Sequence, residues 1–277
     1  MPDLSQTQPF AFTCEGGLIK SRSTFVMQPG QALELLNFEP DIKGGYRRIS
    51  GFRRQINHIV PQTSASSEKV LMVAFFNNNI LAARGEKIFS SASTELATAI
   101  TSSATMSGSG TITVDSTSGF SSSGTLQINS EIFTYTGKTS TTFTGVTRAT
   151  NSTSAAAHAV DDAVSESWTE RDTGRTSASK YSFERFNFDG NDKIIVTDGT
   201  NDPTVFNTSL AATDVTESSV EGAKFVTAFK SHMFYAGMSS TPQELVFSQP
   251  FDEDAFNTGS GAGSIKVDDT IVGMKAF

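Results

Sequence analysis

Cysteine is nearly absent: Cys14 stands alone among 277 residues, so no intrachain disulfide can form and no cysteine-cluster zinc site exists. It reads as a small apolar filler in an N-terminal strand. Tryptophan occurs once, at Trp168, which leaves little from which to build an aromatic sugar platform. The three histidines, His58, His158 and His232, are far apart. Only His158 has carboxylates close by, Asp161 and Asp162, fewer ligands than the three or four that zinc takes. All three read as surface or packing histidines. Charged residues make up only 18% of the chain, and Ser, Thr, Gly and Asn fill the gap, a mixture suited to turns and strands rather than long helices. No stretch approaches the roughly 18 apolar residues of a membrane helix. The first thirty residues lack a charged start followed by an apolar run, so the expectation is a chain without a signal peptide, made in a cytoplasm. The net charge of −8 argues against a molecule that coats DNA, which needs clustered Lys and Arg. No G-x-S-x-G elbow, P-loop or H-E-x-x-H motif occurs, and the expectation is a non-enzymatic protein without cofactor.

What is present is alternation and turn chemistry. Residues 1–68 read as an arm followed by hairpins. Pro2, Pro9 and Gly16-Gly17 break the arm, with one strand at Phe10–Thr13. Pro29-Gly30 is a turn, Leu33, Leu35 and Asn37 alternate, and Tyr46–Arg54 follows Gly44-Gly45 as a basic strand or hairpin. Residues 69–97 form a first meander. The apolar run Val70–Phe76 is turned by Asn77-Asn78-Asn79, Ile80–Ala83 runs back, and Lys87–Ser91 follows the turn at Arg84-Gly85-Glu86. The cadence returns within residues 167–277. Tyr181–Asp189 leads to Lys193–Asp198 and Pro203–Asn207, then Ala223–Phe229 to Met233–Gly237 and Gln243–Ser248. Ile271–Phe277 reads as one more strand beginning. A single meander cannot bury both faces. Stacking several radially, as in a complete or partial β-propeller, solves this, and a β-sandwich is the other solution. The expected fold is therefore all-β.

Residues 98–166 differ in composition. Gly110–Val114, Gly124–Ile128, Glu131–Tyr135 and Thr142–Val146 read as short alternating strands, and the block as a small β domain inserted into the main fold. Ser107-Gly108-Ser109-Gly110 reads as a linker or hairpin turn.

Two stretches carry a resemblance. Gly16-Gly17-Leu18, Met27–Phe38 and Gly44–Phe52 resemble the N-terminus of the β-propeller hub, nozzle or DNA-stabilisation proteins of short-tailed phages, with their QPGEA segment followed by GG.R.R.GY. Glu131–Lys138, Phe143–Arg148 and Ala155–His158 look like a small β module of phage virion proteins, patterned GEI..YTG…LTGVTRG…AAAH. Ala149 stands where that pattern has glycine after the arginine. The two stretches span about a quarter of the chain. The resemblance implies a virion structural protein at the tail or head–tail junction, in contact with other virion proteins, assembled as a cyclic homo-oligomer and near packaged DNA. Members of the propeller family are usually longer, so the chain is expected to be a piece of a longer protein with an incomplete propeller. The alternative function is a carbohydrate-binding or adhesive β protein, with the inserted module as binding unit. A glycan-cleaving propeller enzyme would need paired carboxylates in a cleft.

The one basic cluster is Arg47, Arg48, Arg53 and Arg54. In an acidic chain it marks either a contact with an acidic surface of a neighbouring subunit, the favoured reading, or the lining of a DNA path; a plain exposed hairpin is the third reading. Asp198-Gly199-Thr200-Asn201-Asp202 misses the EF-hand order and reads as a turn closed by Asp and Asn side chains. Asp252-Glu253-Asp254 reads as a solvated turn between strands.

Overall fold

The structure, a computed structural model, describes residues 18, 26–28, 31–32, 34, 36, 38–40, 46–49, 54–63, 68–176, 180–188 and 190–276. The chain divides into two units, Met1–Arg53 and Arg54–Phe277. In the first, β1 (Phe38–Pro40) and β2 (Tyr46–Arg48) form an antiparallel pair that places Glu39 opposite Arg47, and Leu18 bridges Ala32. The strand expected at Phe10–Thr13, Cys14, and the alternating Leu33, Leu35 and Asn37 lie outside the described residues.

The second unit is built of antiparallel strands. They are β3 (Val70–Phe76), β4 (Asn79–Arg84), β5 (Lys87–Glu95), β6 (Ser107–Thr113), β7 (Gly124–Ile128), β8 (Glu131–Tyr135), β9 (Gly137–Lys138), β10 (Thr142–Thr147), β11 (Ala163–Glu166) and β12 (Thr169–Asp172). There follow β13 (Ser182–Phe188), β14 (Asn191–Thr197), β15 (Thr204–Phe206), β16 (Ala212–Asp214), β17 (Phe225–Phe229), β18 (His232–Ala236), β19 (Glu244–Phe247) and β20 (Gly263–Lys266). The protein is all-β, and among the described residues no sheet closes into a barrel.

Three four-stranded meanders organise it. β3, β4, β5 and β12 pair in that order, as do β13 to β16 and β17 to β20. The turns follow from residue chemistry. Asn77 and Asn78 join β3 to β4 with φ of 46° and 59°, the left-handed conformation that a two-residue hairpin needs and that Asn tolerates best after Gly. The three sheets stack face to face. Met72, Ala74 and Phe76 of β3, with Leu81 and Ile88, pack on Ile194, Val196 and Phe206 of the second sheet. The other side of that sheet, through Phe186, Ile195 and Val205, packs on Val226, Tyr235 and Val246 of the third. On β14, successive residues 194, 195 and 196 thus serve two different cores, as the two-residue period of a strand requires. This is why the consecutive residues Ile194, Ile195 and Val196 are all apolar and buried.

The block after β5 has a core of its own, including Leu96, Ile112, Leu126, Phe133, Tyr135 and Phe143. It nevertheless shares a sheet with the first meander. β5 is nine residues long; its first part pairs with β4 and β12, and its last part with β11, which continues through β7, β8 and β10 to β6. The segment leaves and re-enters along one strand. Ser165 lies opposite Ser93 and Thr169 opposite Ser90. None of the buried residues in the two inter-sheet cores comes from residues 96–166. Replacing residues 94–164 by Asn-Gly, which closes the Ser93–Ser165 pair as a hairpin, is therefore expected to leave a soluble protein with β-type circular dichroism and one cooperative melt. Aggregation on expression would show that the block supports the main sheets.

Two local expectations are corrected. Ser107–Gly110 is part of β6 rather than a linker; its ladder to β10 contains irregularities that accommodate the glycines. Residues 271–276 form no strand, although the Ile271 N–H donates to the Pro242 carbonyl. No helix among the described residues is long and apolar enough to cross a membrane.

Candidate functional site

Of the four arginines singled out by sequence, Arg47, Arg48 and Arg54 are among the described residues. Arg47 and Arg48 are neighbours on β2, so their side chains point to opposite faces. Arg47 Nε lies 2.7 Å from Glu39 Oε1, its cross-strand partner. That pair is 62% and 43% exposed, and exposed pairs contribute about 0–1 kcal/mol. Arg48 is exposed on the same hairpin, Arg54 is exposed in the second unit, and Arg53 lies outside the described residues.

Among the described residues, the buried ionic chemistry lies elsewhere, at positions that sequence read as motif, packing or turn residues rather than as one network. β8 begins with Glu131, whose side chain is fully buried; Arg148 just past β10 and His158 converge on it. Arg148 grips the carboxylate with a two-pronged fork, Nε to Oε1 and Nη2 to Oε2, both 2.8 Å. The N–H groups of Ala149 and Ala156 donate to the same carboxylate at 3.1 and 2.9 Å, and His158 Nε2 lies 2.8 Å from Oε2. The remaining guanidinium hydrogens reach the carbonyls of Thr101, Ala104 and Ala156. Burial would push the Glu131 carboxyl up, but the donors from Arg148, Ala156 and His158 outweigh it and bring the pKa down to about 2. Behind His158, Asn129 donates to Asp162 Oδ2 at 2.9 Å and sits 3.4 Å from His158 Nδ1. Asp162, one of the two acidic residues near His158 in sequence, thus belongs to a hydrogen-bonded shell. Among the described residues, no three His, Cys, Asp or Glu side chains converge as metal ligands.

These three residues lie in the stretches that carry the module resemblance, and the network gives a physical reason for their spacing. The backbone at Ala149 gives a reason for the glycine of the pattern. That residue has φ of 54°, where an L side chain costs roughly 1–2 kcal/mol and glycine does not. Ala149→Gly is expected to raise stability by about 0.5–1 kcal/mol, less than the full strain because glycine also frees the unfolded chain. Thermal melting would register the gain; an unchanged or lowered midpoint would show that the left-handed turn is not the reason for the pattern.

A second network centres on Arg175, between β12 and β13. Its Nη1 reaches Asp172 Oδ2 at 2.7 Å and Thr204 Oγ1 at 2.5 Å; its Nη2 lies 2.8 Å from Asp198 Oδ2, and its guanidinium carbon 5.6 Å from the centre of the Tyr181 ring. Asp198 Oδ1 accepts from the N–H groups of Thr200 and Asn201, so the 198–202 segment is a turn closed by its own aspartate and asparagine. Burial would raise the Asp198 carboxyl; the Asn201 N–H and Arg175 hold it below its ordinary value. Burial pushes the Tyr181 hydroxyl up to about 12.

The acidic run at 252–254 is not simply solvated. Glu253 is buried and pairs with Lys193 of β14, and its carbonyl accepts from the Tyr235 hydroxyl at 2.6 Å. A hydrogen bond with Asp252, then burial, holds the Asp254 carboxyl above its ordinary value. Trp168 is half-buried between β11 and β12, and its indole N–H donates to the His58 carbonyl at 3.2 Å.

The outward face of the third sheet is apolar and aromatic. Phe234 lies 5.5 Å from Phe247 and 6.3 Å from Phe229, centre to centre, and His232 packs edge-on against Phe247. A cleft of about 570 Å³ opens beside them, walled by Thr227, Leu245 and residues 273–276. The chain matches no protein-family model, no curated protein and no solved structure.

Proposed function

We propose that the chain is a structural component of a bacteriophage virion, at the tail or the head–tail junction, that acts by assembling with other virion proteins and with copies of itself in a ring. The three stacked meanders are read as adjacent blades of a β-propeller, with the small β module inserted between the third and fourth strands of the first blade. The observation that carries the reading is the Glu131–Arg148–His158 network. The motif residues shared with the phage module meet in one buried constellation, as expected if the resemblance reflects the same module. In this reading the chain carries no catalysis, and the arginines at 47, 48, 53 and 54 serve subunit contact or lie near packaged DNA.

The alternative, a carbohydrate-binding or adhesive protein, has less in its favour. Trp168 spends its indole N–H on the His58 carbonyl and is half-buried, so it makes a poor stacking platform. Mass spectrometry of purified particles of the encoding phage should find the protein at stoichiometric level. Its absence from particles, with abundant protein in the lysate, would overturn the proposal.

A further inference from the structure

We infer that the cleft between the second and third sheets is a binding site for an acidic sugar, a hexose unit that carries a carboxylate. The site stands apart from the virion reading, and none of its residues belongs to the Glu131 network.

The cleft encloses about 510 Å³, within the range of sites that take small ligands. It is lined by Lys180 and Phe183 at the start of β13, by the turn that follows β14, and by Lys224 and Phe225 where β17 begins. Its frame is fixed by the backbone. The Gly199 N–H donates to the Ala223 carbonyl at 2.9 Å and the Lys224 N–H to the Ala236 carbonyl at 3.0 Å, which ties a turn of the second sheet to the first two strands of the third. Gly199 has φ of 81°, and a methyl group there would lie 2.7 Å from Lys224 Cγ, so glycine lets the lysine stem cross the turn. A Cβ on Gly237 would likewise lie 3.0 Å from the Phe225 ring.

The chain carries a net charge of −8, yet the available charge at this cleft is positive. Among the described residues, neither Lys180 nor Lys224 has an acidic partner. Asp198, the one acidic residue of the lining, is already satisfied: Oδ2 accepts from Arg175 and the Asn201 amide, and Oδ1 from the N–H groups of Thr200 and Asn201. Two open cations call for an anion. Phosphate sites use free backbone N–H groups, and those of Gly199 and Thr200 are taken by the Ala223 carbonyl and by Asp198. The cleft offers aromatic surface instead: Phe183 is 42% exposed and Phe225 is half-buried. A sugar lays the C–H face of its ring on such a surface while its carboxylate pairs with lysine. Phe183 thus supplies the platform that Trp168 does not. Glycan cleavage needs two carboxylates, and the lining holds Asp198 alone, so the site binds without cleaving.

Titration calorimetry and ligand-detected NMR on the full chain at low ionic strength test this with three probes: digalacturonate, its neutral counterpart digalactose, and inorganic phosphate. Digalacturonate should bind in the millimolar range or better, and digalactose about tenfold more weakly, the effect of removing two partly solvated ion pairs. Lys180→Gln and Lys224→Gln should each weaken digalacturonate about two- to fivefold, and Phe183→Ser should weaken both sugars. All three positions are exposed, and unchanged circular dichroism would confirm the fold. Lys69→Gln, at an exposed lysine that does not line the cleft, should change nothing. Failure of digalacturonate to bind overturns the inference, as does equal binding of the two sugars. Phosphate binding as tightly as digalacturonate overturns the sugar as ligand. A loss in Lys69→Gln equal to that in Lys224→Gln overturns the site, because it is the behaviour of attraction to charge in general.

Discussion

Replacing Arg148 by methionine is expected to destabilise the inserted module by about 3–5 kcal/mol, the usual cost of leaving a buried charge without its partner. The buried carboxylate of Glu131 would lose both prongs of the fork, and the carbonyls of Thr101, Ala104 and Ala156 would lose their donor. Urea unfolding followed by Trp168 fluorescence reports the change, since the single tryptophan sits where the module's last strand passes into β12. Adding Glu131→Gln should recover part of the loss: the amide oxygen still accepts from Ala149 or Ala156 without a charge to bury. Acid gives an independent reading. The Glu131 carboxyl titrates near 2 in the folded protein, below its ordinary 4.5, so the unfolded chain takes up the proton first. Its contribution is complete above about pH 4.5 and is lost as the pH falls toward 2. In Arg148→Met the folded value rises, and stability should fall less steeply across that window. If the variant unfolds within about 1 kcal/mol of the parent, the network contributes no more than exposed pairs do.

The same network shows where the sequence stops being readable. Strands were legible where turn residues and period-two alternation coincide, as at Val70–Phe76 with Asn77 and Asn78, or at Phe186 and Phe188, both buried on one side of β13. That the protein is all-β follows from the same signals. Burial of charge left no comparable mark. Arg148 is 17 residues from Glu131 and His158 is 27, and they meet only because β8 and β10 pair, with Thr147 opposite Thr134. One signal was available: the patterned stretches contain these three ionisable residues in a block poor in charge. Glu253 is buried against the expectation of a solvated turn for a related reason. An acidic run looks solvated until a lysine 60 residues earlier, Lys193, is brought to it. Residues 271–276 show the opposite: apolar residues suggest a strand, but a strand also needs a neighbour to pair with. The arginines are legible as charge, but charge alone does not reveal the cross-strand pairing of Arg47 with Glu39.

Arg175→Met is expected to cost about 3–5 kcal/mol and to loosen the junction of the first two sheets rather than the module. The arginine sits on the only covalent link between β12 and β13. It is held from both sides, by Asp172 at the end of β12 and by Asp198 and Thr204 flanking the turn from β14 to β15. Burial would lower its pKa, but hydrogen bonds to Asp198 and Asp172 more than compensate and raise it above the ordinary arginine value, so it stays charged under all conditions of interest. Without it, Asp198 keeps the N–H groups of Thr200 and Asn201 and the Asn201 amide, which hold the turn but carry no positive charge. Lysine should recover less than half of the loss, because a point charge cannot span two carboxylates and the Thr204 hydroxyl as the planar fork does. Arg175→Met combined with Asp198→Asn should be less damaging than the sum of the single changes, with a coupling of about 0.5–3 kcal/mol, the range for residues sharing a network. Hydrogen exchange localises the effect. Amides of β13, β14 and β15 should exchange faster in Arg175→Met, while those of β8 and β10 keep their protection. Equal acceleration in the module would mean that the two networks act as one cooperative unit, and an additive double variant would remove Asp198 as the principal partner of Arg175.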